Sequence, residues 1–287
     1  MKFVSYNIQY SKGKDGEFEL ERIADELRGA DVIALQEVVR NVPTVPHADH
    51  PAGLSELLPE HYWVYGPSVD LDASNVEDGR IVNRRLQFGN MLLSKYKILS
   101  SRLLLLPRVR TYDVTSAQRA ALEGLIDLPS GPLRVYSVHL DHINHRQRLA
   151  QIEHLLPLLF SVLRDGASVT GPGWNGIASP DVSDDFVLMG DFNMTPGSIE
   201  YEAVVGEPDY YQGSSVAGDR LVDTWTRAGH GLSEGVTWYD ETDDWNPAGK
   251  LDYGFVTAGL ADGVTGSWIV DAAAGSDHNP LWFELDL

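Results

Sequence analysis

The stretch DDFVLMGDFNMTP, Asp184 to Pro196, decides how the rest of the chain is read. Four bulky apolar residues, Phe186 to Met189, run between polar clusters, the pattern of a short buried strand. The run ends at once in a glycine, a carboxylate and an amide. Gly190 lets the backbone turn or approach another segment closely. Asp191 and Asn193 lie two residues apart, so on an extended chain both side chains point to one face and Phe192 to the other. A plain turn uses the same residue types. Other strand ends have to decide between a turn and a display of functional groups.

Several of them repeat the pattern. FVSY leads to Asn7, VIAL to Gln36 and Glu37, and RVYSV to His139. KLDYGFV puts Asp252 at a strand start, and GSDHNP puts Asp277 and His278 in a tight turn before the last strand. In a two-sheet sandwich strand ends gather at the edges, where such groups converge on one cleft. One polar strand end is ordinary; a whole series supplying Asn, Glu, His and Asp is not what turns alone produce. Carboxylates and amides without thiolates suit a hard cation such as Mg²⁺ or Mn²⁺, which keeps waters and takes one or two carboxylates. Histidines beside acids suit proton transfer near neutral pH. There is no G-x-S-x-G elbow, no Walker-type loop and no G-x-G-x-x-G after a strand. Metal-assisted hydrolysis of a phosphate ester fits what remains.

Composition narrows the class further. The 287 residues carry 42 acidic against 22 basic side chains, a formal net charge of -20, and no cysteine. Disulfides, thiolate metal sites and cysteine nucleophiles are excluded. An acidic surface repels polyanions, and no basic stripe of the nucleic-acid-binding kind is visible. The densest cationic spots are the short NRRLQ and HRQR, although a bound divalent metal would reverse the local field. The N-terminal MKFVSYNIQYSKGK is too short in its apolar part for a leader or a membrane span and reads as an immediate strand. The expectation is a cytoplasmic protein without a transmembrane segment, and no protein partner is inferable.

Strand and helix signals alternate along the chain. GEFELERIADELRGA reads as a helix stopping near Gly29, DVIALQEV as a strand and GLSELLPEHY as a short helix. Residues 66–89, polar and aperiodic, read as a long loop. NMLLSKY, SSRLLLLP, RAALEGLIDLP and PLRVYSVHL read as an antiparallel meander, with the leucines at 103–106 a buried strand. HRQRLAQIEHLLPLLFSVLRDG is the strongest helix, kinked or divided by Pro157. A Gly/Pro/Ser-rich surface excursion precedes the DFVLMGDFN strand, a helix starts in PGSIEYEAVV, and strands follow in GVTWY, KLDYGFVT and PLWFELDL. With no repeat, linker or composition break, residues 1–287 read as one domain.

In that order SYNIQ, ALQEV, YSVHLDH, GDFN, KLDYGFV and SDHNPL resemble the motifs of the endonuclease/exonuclease/phosphatase superfamily, the DNase I-like metal-dependent phosphoesterases, over nearly the whole chain. HLDHINHRQRLAQ, with QRAAL upstream, is further similar to small bacterial members. The resemblance implies an α/β fold, a four-layer αββα sandwich of two packed, mainly antiparallel sheets. It implies a site for one or two Mg²⁺ or Mn²⁺ ions, with Glu37 as main metal ligand, Asn7 close to the metal or the phosphate, and Asp277 holding the metal site or a second ion. Asp191 would orient or deprotonate the attacking water, and Asn193 would hold a phosphate oxygen. Asp252 would orient His278, which stabilises the pentacovalent phosphate or acts as base. His139 would stabilise the phosphate or protonate the leaving group, and Arg119 would pair with phosphate oxygens.

The departures are informative. Gln9 and His139 stand where the apurinic nucleases carry an aspartate and a tyrosine, Lys250 stands where arginine is common, and the tryptophan–cysteine pattern of the inositol phosphatases is missing. Neither branch is a close match. His142 and His145 read as flanking the following helix rather than as a zinc site, and Arg148 and Gln151 as structural. His47, His50, His61 and His230 read as surface residues, Trp268 and Trp282 as core, and Trp174 and Trp245 as candidate pocket residues. The expected substrate is a small or lipid-like phosphoester, with nucleic acid the alternative. A non-catalytic module of the same fold would require a broken site, and every position is filled. Specificity is expected from residues 66–89, 165–185 and 206–220.

Overall fold

The protein is described here by a computed structural model covering residues 1–46, 49–240, 242 and 246–287. From the N-terminus come β1 (Lys2–Asn7), α1 (Leu20–Glu26), β2 (Val32–Arg40) and α2 (His50–Leu57). A long hairpin follows, β3 (Tyr62–Asp72) and β6 (Arg85–Ser94), tipped by the small ribbon β4 (Asn75–Glu77) and β5 (Arg80–Val82). Then come β7 (Ile98–Leu105), β8 (Ala120–Leu128) and β9 (Gly131–His139). Two helices, α3 (His145–Phe160) and α4 (Val162–Asp165), precede β10 (Phe186–Asp191) and α5 (Ile199–Val205). The C-terminal part holds β11 (Leu221–Asp223), α6 (Thr224–Arg227), β12 (Trp238–Asp240), β13 (Asn246–Gly249), β14 (Asp252–Thr257), β15 (Val264–Ile269) and β16 (Leu281–Leu285).

The two six-stranded sheets have the orders β15-β16-β1-β2-β6-β3 and β11-β14-β10-β9-β8-β7. Within each sheet one pair is parallel, β1 with β2 and β9 with β10; the other pairs are antiparallel. Alternation along the strands explains the layering. On β10, Val187 and Met189 face the other sheet with Phe3, Leu92, Val135 and Phe283, while Phe186 and Leu188 face α3 and α5 with Tyr136, Leu155 and Val204. On β1, Phe3 points between the sheets and Val4 and Tyr6 pack under α1 and α2 with Ile23 and Leu54. Helices therefore cover both outer faces, which makes the four αββα layers. Because both strand faces are buried, β1 and β10 read as nearly continuous apolar runs.

The hairpin β3–β6 corrects the reading of residues 66–89 as a loop. β3 is an edge strand whose outer half is exposed, so it carries no apolar alternation. The four-run meander is corrected too: β6 belongs to the first sheet, and only β7–β9 form a meander in the second. β7 is likewise an edge strand, so Leu105 is 55% exposed and of the four leucines only Leu106 is buried. α3 runs through Pro157 to Phe160 and breaks at Ser161 instead. His50 and His61 are buried, not surface residues: His50 lies 3.5 Å from the Ser11 hydroxyl, and His61 Nε2 lies 3.1 Å from the Ala30 carbonyl. His230 stacks on Trp225 with ring centroids 3.9 Å apart. Trp282 and Trp268 do stack in the core, whereas Trp174 is 64% exposed in the excursion before β10; His47 and Trp245 lie outside the described residues.

Candidate active site

Three local devices deliver side chains to one end of the sandwich. The first is Gly190. A Cβ there would fall 1.9 Å from the Val138 carbonyl oxygen, so only glycine lets β10 lie this close to β9. Asp191 is thereby brought into register with His139 on β9 and with Asp252 on β14. The chain then turns at Asn193, which adopts a left-handed φ of 50°. Asn193 folds back so that its backbone N–H donates to Asp191 Oδ1 at 2.9 Å. Phe192 points the other way, edge-on to Tyr253 and Phe255 in the core.

The second device is a bulge. The pairing of β2 with β6 slips between Leu35 and Val38, where Gln36 and Glu37 oppose the single residue Asn90. Glu37 takes a left-handed φ of 58°, a conformation rare for a residue with a Cβ, and its side chain reaches the cavity wall. Gln36 turns inward and donates to Ser137 Oγ at 3.0 Å, while Asn90 donates to the Ala120 and Ser137 carbonyls. These buried amides tie the two sheets together beneath the site. The third device is the left-handed run Gln9–Tyr10–Ser11 after β1, which turns Tyr10 over the same cavity.

The cavity has a volume of about 690 Å³. All but one of the residues singled out from the sequence line it: Asn7, Glu37, Arg119, His139, Asp191, Asn193, Asp277 and His278. Asp252 lies one step behind, its Oδ2 accepting from His278 Nδ1 at 2.7 Å. Its backbone N–H, and that of Leu251, donate to the Thr237 hydroxyl. Ser276 fixes the last turn by donating to the Asn7 carbonyl at 2.7 Å and accepting from the His278 N–H at 3.2 Å. Asp277 accepts from Trp238 Nε1 at 3.3 Å.

Asp191 is the hub. Its Oδ2 accepts from Asn7 Nδ2 at 3.0 Å and Asn193 Nδ2 at 3.3 Å, and lies 3.3 Å from His139 Nε2 and 3.9 Å from His278 Nε2. Arg119 Nη1 sits 2.9 Å from the His139 ring nitrogens, and Nη2 sits 2.8 Å from His142 Nδ1. The assignment that satisfies both neighbours of His139 puts its proton on Nε2, toward Asp191, and leaves Nδ1 to accept from Arg119. Arg119 is buried without a carboxylate partner among the described residues, and its Nε is unpaired.

Proton affinities follow from this crowding. Burial, with Asp277 and Asp191 adding and Arg119 opposing, pushes the Glu37 carboxyl up to about 7. Burial also raises Asp191 and Asp277, with His278 pulling both back. Burial alone would lower His278, but Asp252 and Asp191 overcome it and carry the imidazole to about 10. His139 is held well below the usual histidine range by burial and then by Arg119. One histidine is thus held charged and its neighbour neutral in the same cavity.

Sequence reasoning missed part of the wall. His142, read as a helix flank, holds Arg119; Tyr10, Phe88 and Trp238 add aromatic surface. The spacing of His142 from His139 was a usable signal, but nothing in the sequence marks the left-handed run that turns Tyr10 inward. Lys250, which stands where arginine is common, is buried and is not among the cavity's lining residues; it lies 3.4 Å from Asp223 and over the Tyr253 ring. Arg148 lines the cavity but pairs with Glu200 at 3.0 Å, and Gln151 donates to the Pro107 carbonyl, both structural as expected. Trp174 is not among the residues lining the cavity.

Fold and site together define a protein of the DNase I-like sandwich class. The model of the Endonuclease/Exonuclease/phosphatase family matches residues 4–278, and the chain belongs to that family, one of phosphoester hydrolases. No curated protein matches the chain in sequence. Among solved structures, an endonuclease/exonuclease/phosphatase from Beutenbergia cavernae DSM 12333 is 22% identical, with a TM-score of 0.64 over 100% of this chain and 71% of that one. A mannosyl-6-phosphatase from Bacteroides thetaiotaomicron VPI-5482 is 17% identical, with a TM-score of 0.67 over 100% of both chains. TDP2 of D. rerio, complexed with a single-strand DNA product, is 16% identical, with a TM-score of 0.60 over 100% of this chain and 99% of that one. Among the described residues no helix is long and apolar enough to cross a membrane.

Proposed function

We propose that the protein hydrolyses a small or lipid-like phosphoester with the help of Mg²⁺ or Mn²⁺, through attack of water on phosphorus. One observation carries the reading. A single cavity gathers Glu37, Asp191 and Asp277, all with raised carboxyl proton affinity, beside a buried arginine that has no carboxylate partner. Such a cavity is short of positive charge on its acidic side and short of an anion on its basic side.

The donor set fits a hard divalent ion. Glu37, Asp277 and the Asn7 amide offer oxygen only, and the chain has no thiolate. Among the described residues no group of three or more His, Asp or Glu side chains stands ready to hold an ion by itself. Mg²⁺ keeps several waters and takes one or two carboxylates from the protein. When bound, the ion polarises a phosphoryl oxygen and offsets developing charge.

The chain's own groups supply the remaining chemistry. Arg119 faces the phosphate oxygens, held there by His139, whose neutral ring accepts from Arg119 at Nδ1 and points its Nε2 proton at Asp191. Asp191, held by donors on both oxygens, orients the attacking water and accepts its proton. Asn193 bonds a phosphate oxygen, and His278, charged and steered by Asp252, stabilises the pentacovalent phosphorus. Preference for a compact ester rests on charge, since a duplex draws affinity from many cationic contacts and this chain is at -20. Names of structural neighbours span both alternatives, a mannosyl-6-phosphatase and a protein bound to a single-strand DNA product. The test is phosphate or nitrophenol release from generic mono- and diesters against nicking of plasmid DNA, with Mg²⁺ and with Mn²⁺. Nicking without turnover of any small ester would reverse the order; no hydrolysis of either would remove the proposal.

A further inference from the structure

Between β15 and β16, residues 270–280 carry Asp277 and His278 to the cavity outside any strand. Ser276 fixes this turn to Asn7, as described above. A second set of contacts reaches it from α1 and the segment before α1. The Ala274 and Gly275 N–H groups both donate to Glu26 Oε1, at 2.7 and 3.1 Å, and have no other acceptor among the described residues. Glu26 Oε2 accepts from the Tyr6 hydroxyl at 2.7 Å. Tyr6 directly precedes Asn7 on β1. One side chain of α1 therefore joins the strand that presents Asn7 to the turn that presents Asp277 and His278.

Neighbouring contacts close on the same few atoms. Lys14 Nζ donates to the Ala273 carbonyl at 2.9 Å and to Asn279 Oδ1 at 3.0 Å, and Arg22 Nη1 donates to the Ala274 carbonyl at 3.3 Å. Gly275 permits the approach, since a Cβ there would fall 2.7 Å from both Glu26 Oε2 and Ile23 Cδ1. Glu26 is also out of place by local rules. It is the last residue of α1, where the helix dipole disfavours a carboxylate, and that turn of the helix has no basic side chain. A group that breaks a local preference while holding three donors is explained by those donors.

We infer that Glu26 is a positioning residue: it clamps the turn carrying Asp277 and His278 against β1, without touching the reacting atoms. The inference rests on the function proposed above for what His278 does in the cavity. The margin for His278 is narrow. Its Nδ1 meets Asp252 at 2.7 Å while its Nε2 stands 3.9 Å from Asp191 Oδ2. The ring faces both only while the turn behind it stays in place. A displacement of about 1 Å in such a site costs on the order of 100-fold in rate.

The experiment compares E26A, E26D and E26Q, each checked for folding by its circular dichroism melt. Hydrolysis of a nitrophenyl phosphoester is measured in Mg²⁺, and the His278 Nδ1 proton is followed by NMR, identified by its absence in H278Q. E26Q keeps an oxygen for both N–H groups and an amide donor for the Tyr6 hydroxyl, whereas E26D keeps the charge but is one methylene short of the span. E26A should lower kcat about tenfold to hundredfold with KM within about threefold of wild type. E26D should lose at least about fivefold in kcat, and E26Q less than about threefold. The His278 resonance should move or broaden in E26A and E26D and stay in place in E26Q. If E26A does not fold, E26D decides. An unmoved resonance or an unchanged kcat in the folded variants, even with a lower melting temperature, makes Glu26 merely structural and overturns the inference. So does an E26Q variant as impaired as E26A. A resonance that moves in a protein hydrolysing no phosphoester supports the clamp while sinking the phosphoesterase reading, so the two fail separately.

Discussion

Asp252→Asn isolates the charge behind His278. The carboxylate has no exposed surface, and His278 Nδ1 donates to its Oδ2 at 2.7 Å. The replacement amide oxygen can still accept that hydrogen bond, so ring orientation survives and only the charge is removed. Two unit charges about 4 Å apart attract by roughly 4 kcal/mol at an effective dielectric of about 20. The hydrogen bond that remains leaves about 2–3 kcal/mol as the loss, the usual margin of a charge-assisted bond. If His278 is charged where the pentacovalent phosphorus forms, kcat should fall by roughly 30- to 150-fold. KM should move much less, because the interaction is strongest in the transition state. The assay is steady-state release of nitrophenol from a generic phosphoester in saturating Mg²⁺ or Mn²⁺, with the fold checked by thermal melting. A folded variant that keeps kcat within twofold of wild type refutes the steering role of Asp252.

Other perturbations reach different links of the account. Gly190→Ala sets a Cβ against the Val138 carbonyl oxygen and should destabilise the protein by about 2–3 kcal/mol in denaturant titration; a change under about 0.5 kcal/mol would mean β9 and β10 separate freely. His142→Ala should release Arg119 and raise KM about threefold to tenfold, with recovery in His142→Asn, whose amide oxygen replaces Nδ1 as acceptor. Wild-type KM in the alanine variant would leave His142 no part in holding Arg119. His50 gives the pH dependence of stability: burial holds it down at about 4, below the roughly 6.5 of an unfolded histidine. The unfolded chain therefore takes up the proton first, and stability present above about pH 6.5 is lost as pH falls toward 4, by about 2 kcal/mol at pH 5. His50→Gln should flatten that slope, and an unchanged slope would assign it to other groups.

The strand ends were legible because each combines an apolar run with one chemical group, and buried strands of a sandwich keep that signature. Asn7, Glu37, His139, Asp191 and His278 could be named from sequence for this reason. Where a strand lies at a sheet edge the signature fades: half-exposed β3 passed for a loop, and the leucines of β7 passed for a buried strand. Glu37 shows a different limit. Its position was visible, but the bulge and left-handed backbone that aim it belong to its pairing with β6. The buried state of His50 and His61 was equally hidden, since imidazole suits core and surface alike.

The central claim is that Glu37 anchors a divalent ion on which phosphoester hydrolysis depends. Calorimetric titration of wild type and Glu37→Gln with Mn²⁺, paired with hydrolysis after chelation and metal return, tests it most directly. The account predicts loss of activity on chelation, its return with Mg²⁺ or Mn²⁺, and metal affinity at least about tenfold weaker in the folded variant. Undiminished hydrolysis in excess chelator, or wild-type Mn²⁺ affinity in the variant, would contradict it.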